Sequence, residues 1–115
     1  MENKNTGMMP YDALRNAIVI QAAEDYRKAV EVIRESRAKL KELWDEYAKL
    51  QGKDDVREQE ILKDIEEIKH KLEKARSEIN EIESFFRSEW YSSICSVDGE
   101  WMIEQLREEA GDYDC

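Results

Sequence analysis

"ILKDIEEIKHKLEKARSEINEIESFF", residues 61–86, sets Ile61, Ile65, Ile68, Leu72, Ala75, Ile79, Ile82 and Phe86 at steps that alternate four and three. A period of 3.5 residues keeps one apolar seam turned toward one partner helix, which is the pattern of coiled-coil packing. Charged residues fill the other faces. This stretch decides the fold: it is a long amphipathic helix that must lie against another.

Working outward, "QGKDD" at 51–55 interrupts the helical pattern. Gly52 suits a helix end, and Asp55 with Glu58 makes the D-x-x-E pattern of a capping box for the helix that follows. Upstream, no breaker occurs back to Pro10, which a first helical turn tolerates, and Asp12 adds an acid near the positive end of the dipole. Tyr26, Val30, Ile33, Leu40, Trp44 and Tyr47 give this helix its own seam, with Arg37 filling one slot. Leu14, Ile18, Ala22 and Tyr26 step by fours, with Ala17 and Val19 beside them, so the stripe is wider near the start. Two such helices joined by a short breaker fold back as an antiparallel hairpin, about 60 Å long at 1.5 Å per residue.

Beyond Phe86, Trp90 and Ile94 come at steps of four, so the seam drifts around a helix that continues to about 95. A third helix over about 98–109 follows, capped by Asp98 or Ser96. Gly99 sits in its turn, Trp101, Met102, Ile103 and Leu106 supply its apolar face, and Gly111 ends it. The expected fold class is all-α: a long antiparallel, coiled-coil-like helical hairpin plus a short C-terminal helix. Its parts are a disordered leader at 1–9, a single domain at 10–110 and an acidic tail at 111–115. Helix one spans about 10–50 and helix two about 55–95.

Composition agrees with long helices: 40% of residues are charged, with one proline and four glycines. The net charge of −10 is uneven, because residues 1–50 balance while 98–115 carry seven acids against one base. Binding to nucleic-acid phosphates needs clustered Lys and Arg, so that class is set aside. The longest strongly apolar run, "AIVIQAA", is too short to span a bilayer. Without a signal-peptide pattern, Cys95 and Cys115 read as reduced thiols of an intracellular protein.

The chemistry of catalysis is sparse. His70, the lone histidine, falls on the solvent side of the seam, where neither a metal site nor a nucleophile–base pair can be built around it. No glycine-rich phosphate loop or C-x-x-C occurs, and the carboxylates sit at i,i+4 spacings from lysines that explain them as surface pairs. The expectation is a non-enzyme with no metal and no cofactor. What stands out is "ESFFRSEWYSSICSVDGEWMIEQL" (83–106), which holds Phe85, Phe86, Trp90, Tyr91 and Trp101, half of the chain's ten aromatic residues. Phe86, Trp90 and Ile94 suit packing against Trp101 and Leu106. Phe85, Arg87, Tyr91 and Ser92 suit an outward binding strip, because aromatic and Arg side chains dominate hot spots.

Two segments, "NAIVIQAAEDYRKA" (16–29) and "EIESFFRSEWYSSICSVDGEWMIEQLREE" (81–109), resemble a family of small proteins encoded in prophages of Gram-positive bacteria. The family pattern is Ala-Ile-x-x-Gln-Ala-x-x-Asp-Tyr-Arg, then FFRS-x-W-(Y/F), then a Val/Leu-Asp-Gly-Glu core. The hairpin arms between the two segments are much longer here than in that family. The resemblance implies a mobile-element origin and expression in the bacterial cytoplasm, and it names no target. An antiparallel hairpin brings the two segments together at its base.

These readings lead to a binding protein. The first expectation is an inhibitor of a host antiviral defence component, acting by protein–protein contact. A second is an oligomeric sponge for a small anionic signal such as a cyclic nucleotide, held by Arg27, Lys28 and Arg87 with stacking on Tyr91 or Trp90. A third is a structural or replication accessory protein. The wide stripe of Leu14, Ile18, Val19, Ala22 and Tyr26 exceeds what one helix can cover, so a homo-oligomer, dimer or larger, is expected through it.

Overall fold

A computed structural model of the chain describes residues 10–111, and every regular element within them is a helix. These are α1 (Pro10–Leu50), α2 (Asp55–Phe86), α3 (Glu89–Ile94) and α4 (Gly99–Ala110). The leader at 1–9, most of the acidic tail and Cys115 lie outside the described residues. α1 and α2 run antiparallel, setting Leu43 of α1 beside Ile61 and Ile65 of α2, and Tyr26 beside Glu83. α4 folds back along the open end of this hairpin, giving a rod of 73 × 28 × 20 Å.

The seam of α2 lies where its spacing put it: Ile61, Ile65, Leu72, Ala75, Ile79 and Phe86 are buried, while Ile68 and Ile82 are half-buried. The seam of α1 differs from the expected one. It runs Val19, Ala22, Tyr26, Ala29, Ile33, Ser36, Leu40, Leu43, Tyr47, Leu50, alternating steps of three and four without a skip, and every one of these residues is buried or half-buried. Ser36 and Leu43 occupy the slots that size and hydrophobicity assigned to Arg37 and Trp44. Val30 is buried too, but it faces α4 and lines a cleft with Leu106 and Ala110. Trp44 faces outward, edge-on to Tyr47 at 5.8 Å with the Lys69 ammonium over its ring.

Ala29 and Ser36 hide this register, because the bulkier Val30 and Arg37 stand next to them in sequence. Ala29 lets the backbone of α1 approach its partner closely, as alternation of large and small residues across a seam requires.

The hairpin turn takes Gln51 (φ 43°) and Gly52 (φ 81°) through left-handed backbone, and the Lys53 amide donates to the Leu50 carbonyl at 2.9 Å. Gly52 adopts that conformation without a Cβ clash. The cap of α2 is Asp54, one residue before the expected Asp55: its carboxylate accepts from the Arg57 amide at 3.1 Å. Arg57 then reaches across to Glu46 of α1 at 2.7 Å and to Glu60 at 3.2 Å, tying the tip together.

Helix two does not continue to 95. It stops at Phe86, turns through Arg87 and Ser88, and restarts as α3. The Ser88 hydroxyl donates to the Phe85 carbonyl at 2.6 Å and accepts from the Tyr91 amide at 3.1 Å, so one side chain both closes α2 and caps α3. Side steps of four that read as a drifting seam therefore mark a corner.

Candidate functional site

The base of the hairpin is built by that corner. Turning at Ser88 carries Tyr91 inward, where it is 1% exposed, against Phe86 at 5.2 Å and Phe85 at 5.6 Å between ring centroids. The same turn carries Trp90 outward, 55% exposed but held edge-on to Phe85 at 5.6 Å. Ile94, Ile103, Leu106 and Ala110 complete the buried core here. Trp101, expected in that core, is an exposed residue of α4.

Polar contacts lock α4 to the hairpin. Glu83, buried on α2, accepts from the Tyr26 hydroxyl at 3.0 Å. It also accepts from Arg107 Nε and Nη2 at 3.1 and 2.7 Å. Its Oε1 lies 3.7 Å from the Arg87 guanidinium. A carboxylate this buried is sustained by such bonds, the two-pronged arginine above all. Two further forks flank it: Arg27 donates to Glu109 at 2.6 and 3.1 Å, and Arg87 to Glu100 at 2.6 and 3.4 Å. The hydrogen bond from Arg87 holds the Glu100 carboxyl below the usual range, and that from Arg27 does the same for Glu109.

Two concavities lie here besides the cleft that Val30 lines with Arg27 and Glu109. The first, about 450 Å³, lies in the corner between α3 and α4 and is lined by Arg87, Tyr91, Ser92, Cys95, Asp98 and Glu100 among others. Burial, and after it the neighbouring Cys95 thiol, push the Tyr91 phenol up. The second, about 340 Å³, is an apolar groove between α1 and α2 on the side away from α4. Ile18, Ala22, Ile82, Phe85 and Trp90 form it, with Gln21, Asp25 and Glu81 at its edge.

The expected binding residues thus separate. Arg87, Tyr91 and Ser92 share the corner, but Tyr91 does not point outward as the helical strip implied, because the break at Ser88 rotates it into the core. Phe85 and Trp90 belong to the groove. Arg27 is committed to Glu109, and Lys28 is exposed without joining either concavity. Within the single chain, Arg27, Lys28 and Arg87 do not together line one concavity with Tyr91 or Trp90. Of the expected interface stripe, Leu14 is 60% exposed and Ile18, Val19 and Ala22 are half-buried. Tyr26 is 0% exposed within the single chain, held by Glu83, and has no surface to offer a second copy.

Glu83 and Arg107 were not singled out by sequence, and Ile82 was read only as a seam position. Glu83 follows a seam position on a helix rich in glutamates, and only its partners distinguish it from them. Among the described residues, no group of three or more His, Cys, Asp or Glu is arranged to hold a metal ion. No described helix is long and apolar enough to cross a membrane. Comparison with protein-family models, with curated proteins and with solved structures finds no match to this chain.

Proposed function

We propose that this chain is a non-enzymatic binding protein that docks another protein through the apolar groove at the base of its hairpin. The observation that carries this reading is Trp90: a large aromatic, more than half exposed, yet fixed edge-on to Phe85 beside Ile18, Ala22 and Ile82. A rigid, exposed tryptophan at the wall of an apolar groove loses little freedom on binding and has much area left to bury, which is the profile of a binding hot spot. The resemblance to prophage proteins supports a bacterial host as the setting; a host protein as the target, with a component of antiviral defence as its class, belongs to the same proposal.

A photo-crosslinking amino acid at position 90, compared with one at the outward-facing position 44, tests this in host cells. A defined adduct with one host protein from position 90, and none from 44, is expected. Equal labelling from both positions overturns the reading. The defence assignment is tested separately: the wild-type chain restores phage plating on a strain carrying that defence, and Trp90→Ala does not.

A further inference from the structure

The groove also carries information about its occupant. At the base, every buried or bridging carboxylate on the α4 side is matched by an arginine: Glu83 by Arg107, Glu100 by Arg87 and Glu109 by Arg27. The groove side is different. Asp25 on the α1 wall accepts only the Gln21 side-chain amide at 2.9 Å, and Glu81 on the α2 wall is exposed. Among the described residues neither has an ion pair. Two carboxylates without an ion pair among the described residues therefore border the apolar groove, one from each helix.

The geometry of the hairpin adds a shape. α4 lies on one side of the α1–α2 pair and buries Ile103, Leu106 and Ala110 there. The other side offers Ile18 and Ala22 one turn apart, continued toward the start of α1 by exposed Leu14. Positions 14, 18 and 22 form an apolar ridge inclined to the axis of α1, and Ile82, Phe85 and Trp90 form the opposing wall. A helix laid between them would repeat what α4 does on the far side and complete a local four-helix bundle.

From these observations, and resting on the docking reading above, we infer that the groove receives an amphipathic helix whose apolar stripe is flanked by Lys or Arg. Its apolar side chains fill the space beside Trp90, at the spacing that helix-in-groove recognition uses. Its cations meet Asp25 and Glu81 at the rim, where charge sets partner choice more than affinity.

A display library of helices about five turns long, with a fixed apolar stripe and randomised flanking positions, tests this against the full chain. Selection on the wild type is expected to enrich Lys and Arg at the flanks. Selection on the Asp25→Lys/Glu81→Lys variant should enrich Asp and Glu instead, with helical content by circular dichroism unchanged. Trp90→Ala should weaken selected peptides about tenfold or more, the loss expected for a hot spot. Flanks without charge preference on either bait, with binding still sensitive to Trp90, overturn the occupant while leaving the docking surface standing. Selected peptides indifferent to Trp90→Ala overturn both. A micromolar dimer in sedimentation that Trp90→Ala dissociates would assign the groove to a second copy and overturn the inference as well.

Discussion

Gly99 packs so closely on the end of α2 that a Cβ placed on it would stand 1.8 Å from the Phe86 carbonyl oxygen and 2.8 Å from its carbon. Both are backbone atoms, so no flexible side chain can yield. Gly99 lies in the first turn of α4 with ordinary helical backbone, where alanine alone would gain about 1 kcal/mol in helix propensity. The clash is the larger effect, since overpacking costs about 1–3 kcal/mol even where side chains can move. Gly99→Ala is expected to lower the urea midpoint and to detach α4. A more stable variant would show that the approach is looser than this.

Glu83 organises three elements. Glu83→Ala removes the carboxylate that accepts from the Tyr26 hydroxyl and frees Arg107 from its fork. Breaking a buried charge pair by deleting one member costs about 3–5 kcal/mol, and the partly exposed Arg107 places this case at the lower end. Tyr26→Phe keeps the carboxylate and its arginine fork, and losing the hydroxyl's bond to this charged acceptor costs about 1.5–3 kcal/mol. Denaturation of the two single variants and the double should show strong non-additivity, because the sites share a network. Additive losses would mean that the contact is incidental.

The two registers of α1 are separable by two truncations. Leu43→Ala, at a buried seam position, should cost about 2–5 kcal/mol. Trp44→Ala loses an edge-on contact with Tyr47 and the Lys69 cation over its ring, about 1 kcal/mol. The larger residue is the cheaper one to remove. The reverse order would restore the register that bulk alone suggests.

Acid and alkali act on different parts of the base. The carboxyls of Glu100 and Glu109 are held below the ordinary range by Arg87 and Arg27. A depressed folded value contributes stability above the unfolded pKa, about 4.3 for glutamate, which is lost as pH falls through the folded value. Thermal melts below about pH 4.3 should therefore show α4 loosening, less steeply in a Glu100→Gln/Glu109→Gln variant. Tyr91 works in the other direction. Its phenol is raised mainly by burial, so its contribution is intact below the unfolded value of about 10 and is lost as pH rises above it. Ring resonances of Tyr91 should stay those of a neutral phenol past the ordinary titration range until the chain unfolds.

How much of this was legible depends on what kind of signal each feature leaves. The hairpin was readable because eight positions from Ile61 to Phe86 keep one period, and the turn because Gly52 interrupts the helical pattern. The corner at Ser88 was not, because one hydroxyl in "FFRSEWY" ends α2 and starts α3 with no glycine or proline. That single cap decides that Tyr91 is core and Trp90 is surface, the reverse of their expected roles. Sequence spacing set Phe85 on an outward strip and Trp90 in the core, whereas both border the groove, which also needs Ile18, Ala22 and Ile82 from two helices distant in sequence. No spacing rule joins those positions until α1 is set in register, and the register itself rests on Ala29 and Ser36, residues too small to announce a seam.

The seam of the hairpin has a further meaning once α4 is seen to stop near Gly111, beside Arg34 of α1. From Ser36 to the tip only α1 and α2 touch, and their cluster of Leu43, Ile61 and Ile65 includes nothing from α3 or α4. Because the repeat is seven residues on both strands of this rod, removing one heptad from each helix preserves every facing pair and shortens the arm by about 10 Å. The arm is thus a ruler with graduations of one heptad, able to change the distance between its tip and the groove without altering either.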